Sequence, residues 1–168
     1  GLAYRYPDHD EVVLEIMEHE LHIIRGQGFL SYFLINWDIT SYARSKGYFY
    51  VGRGSGANSL VAYLLRITDV DPIELDLYFE RFINLYRTNP PDFDIDFSWT
   101  DRDDITQYIF NRFKNYLARV YDWYKLPIWI TEFNANLNRT TTVNLEFMKL
   151  ALPYLDSLDY VERYSWFQ

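Results

Sequence analysis

"PPDFDIDF", residues 90–97, places Asp92, Asp94 and Asp96 at every second position of a run otherwise made of proline, phenylalanine and isoleucine. Successive side chains of a β-strand point to opposite faces, so the three carboxylates share one face while Phe93, Ile95 and Phe97 share the other. Like charges this close repel, and the strand is disfavoured unless water, a cation or basic groups compensate them. Oxygen-only donors suit Mg²⁺ or Mn²⁺, which need only one or two carboxylates when waters and phosphates complete the shell. The plain alternative is an acidic edge strand kept soluble by its charge. What lies around the strand decides between them.

The 168 residues are the size of one domain and can bury a core, and two smaller pieces also fit this length. A chain that is 49% hydrophobic and 20% aromatic is not a disordered one. With no cysteine, disulfides, thiolate catalysis and cysteine-based zinc sites are excluded. No run approaches the roughly 18 apolar residues of a membrane span, and the start lacks the pattern of a signal peptide. A cytoplasmic setting with no membrane partner is therefore expected. The net charge of −8 repels nucleic acid over most of the surface, but it is uneven. Residues 1–113 hold 10 Lys and Arg against 18 Asp and Glu, whereas residues 114–168 hold 6 of each. Between Asp38 and Asp69 no acid occurs, only Arg44, Lys46, Arg53 and Arg66. A local basic stretch so close to the acidic strand suits a site that handles phosphates beside metal-binding carboxylates.

Along the chain, "YPDHDEVVLEIMEHELHIIRGQG" (6–28) predicts an amphipathic helix with Val12, Val13, Ile16, Leu21 and Ile24 inward and Gly26 as its stop. His19 and His22, one turn apart, read as a solvated face, with a metal pair as the alternative. "YFLINWDITSYARSK" (32–46) predicts a second helix ending at Gly47, and "YFYV" (48–51) a short strand. "GRGSGANSLVAYLLRITD" (52–69) then opens on three glycines and turns helical at Asn58 or Ser59. Strand, glycine-rich turn and helix N-terminus together can receive a phosphate through backbone N–H groups and the helix dipole; a mere tight connection has the same pattern. "DPIELDLYFERFINLY" (71–86) predicts an amphipathic helix with Leu75, Tyr78, Phe79, Phe82 and Ile83 inward. A further helix is predicted from Thr100 or Asp101.

"SYFLINWDI" (31–39), "GRGSGANSLVAYLLRITDVDP" (52–72), "DLYFERFIN" (76–84) and "PPDFDIDFSWTDRDDI" (90–105) occur in this order. Their order and spacing closely resemble the palm region of bacterial C-family DNA polymerases, the DNA polymerase III α subunit and its error-prone relatives, over about residues 8–113. The resemblance implies a partial polymerase-β-like nucleotidyltransferase palm. It implies Asp94 and Asp96 as catalytic, metal-binding aspartates for Mg²⁺ or Mn²⁺, with Asp92 in support. It implies Arg53, Gly54, Ser55 and Gly56 as the loop for the incoming nucleotide's triphosphate, with DNA primer–template and dNTP as partners. The family's third catalytic aspartate lies well downstream of this strand.

The remainder reads differently. "PIWITEF" (127–133) is β-rich, "TTTVNLEFMKLALPYLDSL" (140–158) is helical and "YVERYSWFQ" (160–168) is β-rich again, which makes one βαβ unit. This stretch resembles the last strands of a (β/α)₈ glycoside hydrolase of the retaining β-glucanase type, and the resemblance implies Glu132 as nucleophile toward β-glucan. Glu162, near the start of its strand, reads as structural. Asn138–Thr140 form a glycosylation sequon, meaningful only in a secreted eukaryotic protein.

The expected fold class is α/β or α+β: a partial palm over residues 1–113 and a βαβ barrel fragment over 114–168, joined between about Phe113 and Tyr121 within one continuous helix. A complete eight-stranded barrel needs about 250 residues. Three functions follow: a DNA polymerase palm fragment, inactive alone; a glycoside hydrolase fragment; or a chimeric chain with neither activity.

Overall fold

The computed structural model describes residues 1–84, 86, 92–133 and 141–166, except the side chains of 131–133, 141–144, 146 and 166. The predicted proline start of the aspartate run, the sequon and the side chain of Glu132 lie outside the described residues. The fold is mixed helix and sheet, and the chain divides into two compact units, residues 1–105 and 106–168. Among the described residues no helix is long and apolar enough to cross a membrane.

The first unit begins with the one-turn helix α1 (Leu2–Arg5) and continues into α2 (Glu11–Gly26). Asp10 caps α2, its carboxylate accepting from the Val13 amide at 3.1 Å. The inward face is Val13, Glu20, Ile23 and Ile24, while Val12, expected inside, is exposed. Its position falls off the 3.6-residue stripe that Val13 starts. The helix also runs through Gly26. The reversal comes at Gly28, whose φ of 76° lets Phe29 N–H return to the Ile24 carbonyl at 2.9 Å. α3 (Leu30–Lys46) ends at Gly47 with φ 74°, as its sequence predicts.

β1 (Tyr50–Arg53) starts two residues later than expected and pairs antiparallel with β2 (Asp94–Phe97), in the register Tyr50 to Phe97 and Arg53 to Asp94. Between them come a 3-10 turn (Gly54–Asn58) and α4 (Leu60–Leu64). α4 is much shorter than its apolar run suggests, because the chain turns at Leu65 and Arg66 takes a left-handed φ of 59°. The predicted helix over 71–86 does not form. Asp71 accepts from the Ile73 and Glu74 amides, an Asx-type turn that competes with helix, and Asp76 adopts φ 50°. Only a 3-10 turn, Phe79–Arg81, follows. Phe79, Phe82 and Ile83 are buried as expected, but Leu75 and Tyr78 are 57% and 66% exposed.

The unit's main core gathers Ile23, Ile24, Phe33, Val61, Phe82 and Phe93. Phe93, the residue before β2, stacks on Tyr32 at 5.5 Å and meets Phe33 and Phe82 at 5.2 and 4.8 Å. Its amide donates to the Tyr32 hydroxyl at 3.1 Å. The apolar side of the aspartate strand is thus what anchors it.

Among the described residues Glu20 is the one buried acid, 1% exposed. Its carboxylate accepts from the Leu60 amide at 2.8 Å, the Val61 amide at 3.0 Å and the Ser59 hydroxyl at 2.8 Å. Ser59 Oγ in turn accepts from Ala62 N–H at 3.1 Å. The first-turn donors that a helix leaves without intrahelical partners are therefore met here by α2 and the cap residue.

In the second unit, α5 (Arg102–Tyr124), which begins in the first unit, leads to β3 (Ile128–Phe133), α6 (Thr141–Asp156) and β4 (Val161–Trp166). β3 and β4 pair in parallel, giving the expected βαβ unit. Phe110 packs edge-on against Phe147 and Tyr154, and Tyr121 stacks on Tyr160 at 4.4 Å. Trp123, Tyr124, Leu126 and Trp129 are exposed.

Burial pushes the Glu20 carboxyl up to about 7, against the opposing pull of its three donors. A folded-state pKa above the unfolded one stabilises the protein below the unfolded pKa, and that contribution disappears as the pH rises through the folded value. Relative to Glu20→Gln, the unfolding free energy should therefore fall by about 3 kcal/mol between pH 4.5 and 7.5. Urea titrations of both proteins across this range measure it; a difference independent of pH would contradict the assignment.

Candidate phosphate and metal site

The site is built on the β1–β2 ladder. Arg53 closes β1 directly opposite Asp94, and Asp96 lies two residues further along the same face of β2, so one guanidinium reaches both carboxylates. Arg53 Nε donates to Asp96 Oδ2 at 2.6 Å, Nη2 to Asp96 Oδ1 at 3.4 Å and Nη1 to Asp94 Oδ2 at 3.4 Å. The two acids in turn raise the guanidinium's pKa, Asp96 by its hydrogen bond above all. All three side chains are substantially exposed, so the pairing is screened and individually weak. The charge that compensates the aspartate strand is thus a basic side chain from the neighbouring strand. Asp92, also exposed, stands just outside the ladder.

The glycines of the turn meet β2. Gly54 has φ 75°, and a Cβ there would lie 2.6 Å from Asp94 Oδ2. A Cβ on Gly56 would lie 2.4 Å from the Phe93 ring. The Asn58 side chain closes the turn by donating to the Ser55 carbonyl at 2.8 Å. Close backbone approach is needed here before any ligand is considered, and the turn's position over the carboxylate strand follows from it.

At the N-terminus of α4 the Leu60 and Val61 amides are already occupied by the Glu20 carboxyl group. Glu20 was not among the expected site residues, although a lone acid on an apolar helix stripe is a visible signal. The other basic residues of the acid-free stretch have partners within the first unit: Arg44 donates to the Arg66 carbonyl and the Ser41 hydroxyl, Lys46 lies over the Tyr42 ring and Arg66 over the Tyr4 ring.

As metal donors, Asp94 and Asp96 offer hard oxygens at an exposed rim, a set that fits Mg²⁺ or Mn²⁺ when water and phosphate supply the rest. Among the described residues no cluster of three or more His, Asp or Glu gathers to hold a metal, and His19 and His22 are both exposed, His19 facing Glu80 at 3.7 Å. In the second unit, Glu132 is the penultimate residue of β3, and Glu162, second in β4, accepts from the Trp129 indole at 2.6 Å.

Residues 1–126 match the model of the bacterial DNA polymerase III alpha NTPase domain, and residues 102–168 match that of the glycosyl hydrolase catalytic core. The two matches overlap across α5. The DNA polymerase III subunit alpha of Borreliella burgdorferi is 46% identical over 114 residues, covering 67% of this chain and 10% of its own length. That of Bacillus subtilis is 50% identical over 110 residues, covering 65% and 10%. The error-prone DNA polymerase of Methylococcus capsulatus is 44% identical over 119 residues, covering 70% and 11%. The chain spans about a tenth of the length of these relatives. On the match that takes in three quarters of its residues, the carboxylate strand and glycine turn included, the chain belongs to the bacterial DNA polymerase III alpha NTPase domain family.

Proposed function

We propose that residues 1–113 are a partial DNA polymerase palm, in which Asp94 and Asp96 hold Mg²⁺ or Mn²⁺ and Arg53, Gly54, Ser55 and Gly56 receive the triphosphate of an incoming dNTP. DNA primer–template is the other partner in this reading, and a cytoplasmic location goes with it. The observation that carries it is that Arg53 bonds both carboxylates at the mouth of the glycine turn, so the cationic and anionic halves of a phosphoryl-transfer site stand side by side. When bound, divalent cations would supply charge stabilisation for the attacking and leaving oxygens. The chain's own contribution is to orient: the β1–β2 ladder sets the carboxylates and Arg53, and Gly54 keeps the backbone within reach of them.

A second reading rests on the parallel β3–β4 pair with α6 between its strands, together with the glycosyl hydrolase match. In it residues 114–168 are a barrel fragment with Glu132 as nucleophile toward β-glucan. Retaining hydrolysis needs a second carboxyl group about 5 Å away, and Glu162, at the opposite end of its strand and bonded to Trp129, does not suit that role. In a third reading the chain joins two fragments within α5 and catalyses neither reaction.

Mn²⁺ titration followed by electron paramagnetic resonance should show weak binding that falls about ten-fold or more in the Asp94→Asn, Asp96→Asn double variant. Equal affinity in both proteins would remove the metal site. The isolated chain should extend no primed template and cleave no β-glucan, since groups that act as a catalytic unit lose orders of magnitude in rate when one is missing. Primer extension abolished by Asp96→Asn would make it an active polymerase, and glucan cleavage abolished by Glu132→Gln would promote the second reading.

A further inference from the structure

Arg53 stands in two roles at once: phosphate ligand in the proposed function, and carboxylate partner in the structure. Its three donated hydrogen bonds engage both oxygens of Asp96 and one of Asp94, which is three of the four oxygens available to a metal. A cation taking those oxygens meets a positive charge already seated on them. Phosphate oxygens accept guanidinium hydrogen bonds as carboxylates do, so a triphosphate on the adjoining turn competes for Arg53 from the other side.

Resting on the reading of Asp94 and Asp96 as the metal site, we infer that Arg53 is a counter-ion gate: it occupies the carboxylates until a nucleotide's phosphates draw it away, and so couples metal binding to nucleotide binding. The coupling is reciprocal. Whatever factor nucleotide adds to metal affinity, metal adds to nucleotide affinity. Two features make the exchange inexpensive: the pairs are exposed, and the guanidinium is held by contacts of which only the Nε bond is short. The Arg53 backbone, by contrast, is held in the ladder opposite Asp94, so the side chain can swing without moving the strand. Arg53 here is a positioning residue, acting on the metal through the aspartates.

Mn²⁺ titrations of the whole chain, with and without dATP, test this in the unchanged protein, in Arg53→Gln and in the Asp94→Asn, Asp96→Asn double variant. Without nucleotide, Arg53→Gln should bind Mn²⁺ about two- to five-fold more tightly than the unchanged protein, the range for releasing an exposed ion pair. With nucleotide, the unchanged protein should tighten, and the enhancement should shrink in Arg53→Gln. Equal or weaker Mn²⁺ binding by Arg53→Gln without nucleotide, or an undiminished nucleotide enhancement, would overturn the gate while leaving the site intact. Mn²⁺ binding that survives in the double aspartate variant would instead overturn the site, and with it the gate.

Discussion

A carboxylate buried against a helix N-terminus organises the first unit. Glu20 links α2 to α4 by meeting donors that would otherwise be buried without partners, and an unmet buried donor costs about as much as a lost hydrogen bond or more. A buried acid is itself costly, and its removal without a substitute would leave three donors stranded. The pairing fixes where α4 starts, therefore where the turn Gly54–Asn58 ends, and so where Arg53 and the glycines lie relative to β2. The active chemistry proposed for this chain hangs on a contact that takes no part in it.

From that constraint follows a division of labour among donors that usually act together. In many phosphate sites the glycine turn and the helix behind it present one continuous set of N–H groups. Here the Leu60 and Val61 amides are bound internally by Glu20, and Arg53 pairs with the carboxylate strand. The glycines satisfy a steric demand of the protein itself, close approach to Asp94 and Phe93, and this same approach puts a cation within bonding distance of two acids. The aspartate strand is tolerated because its apolar face is anchored by Phe93 and its charged face by Arg53.

Period and punctuation made much of this legible in the sequence. α3 and its Gly47 stop, the alternating faces of residues 93–97, and the strand–helix–strand order after residue 127 all follow from local patterns that tertiary contacts reinforce. Misses occurred where side chains compete with the backbone or where a charge goes inside. The 71–86 segment has helical periodicity, but Asp71 draws the Ile73 and Glu74 amides into a local turn. Glu20 sits on the stripe of Val13, Ile23 and Ile24, yet nothing local says that its partners are forty residues away. The pairing of Arg53 with Asp94 and Asp96 needs the β1–β2 register, which no single segment encodes. In the second unit, Trp123, Tyr124 and Trp129 are aromatic yet exposed, which hydrophobic pattern alone does not foretell.

The central claim is that the α4 N-terminus is closed by Glu20 from within, and amide hydrogen exchange on the intact chain tests it most directly. First-turn helix amides, lacking intrahelical partners, ordinarily exchange fast. The account predicts that the Leu60 and Val61 amides exchange as slowly as the Ile24 amide of the core. Exchange at both positions as fast as at exposed chain ends would contradict it.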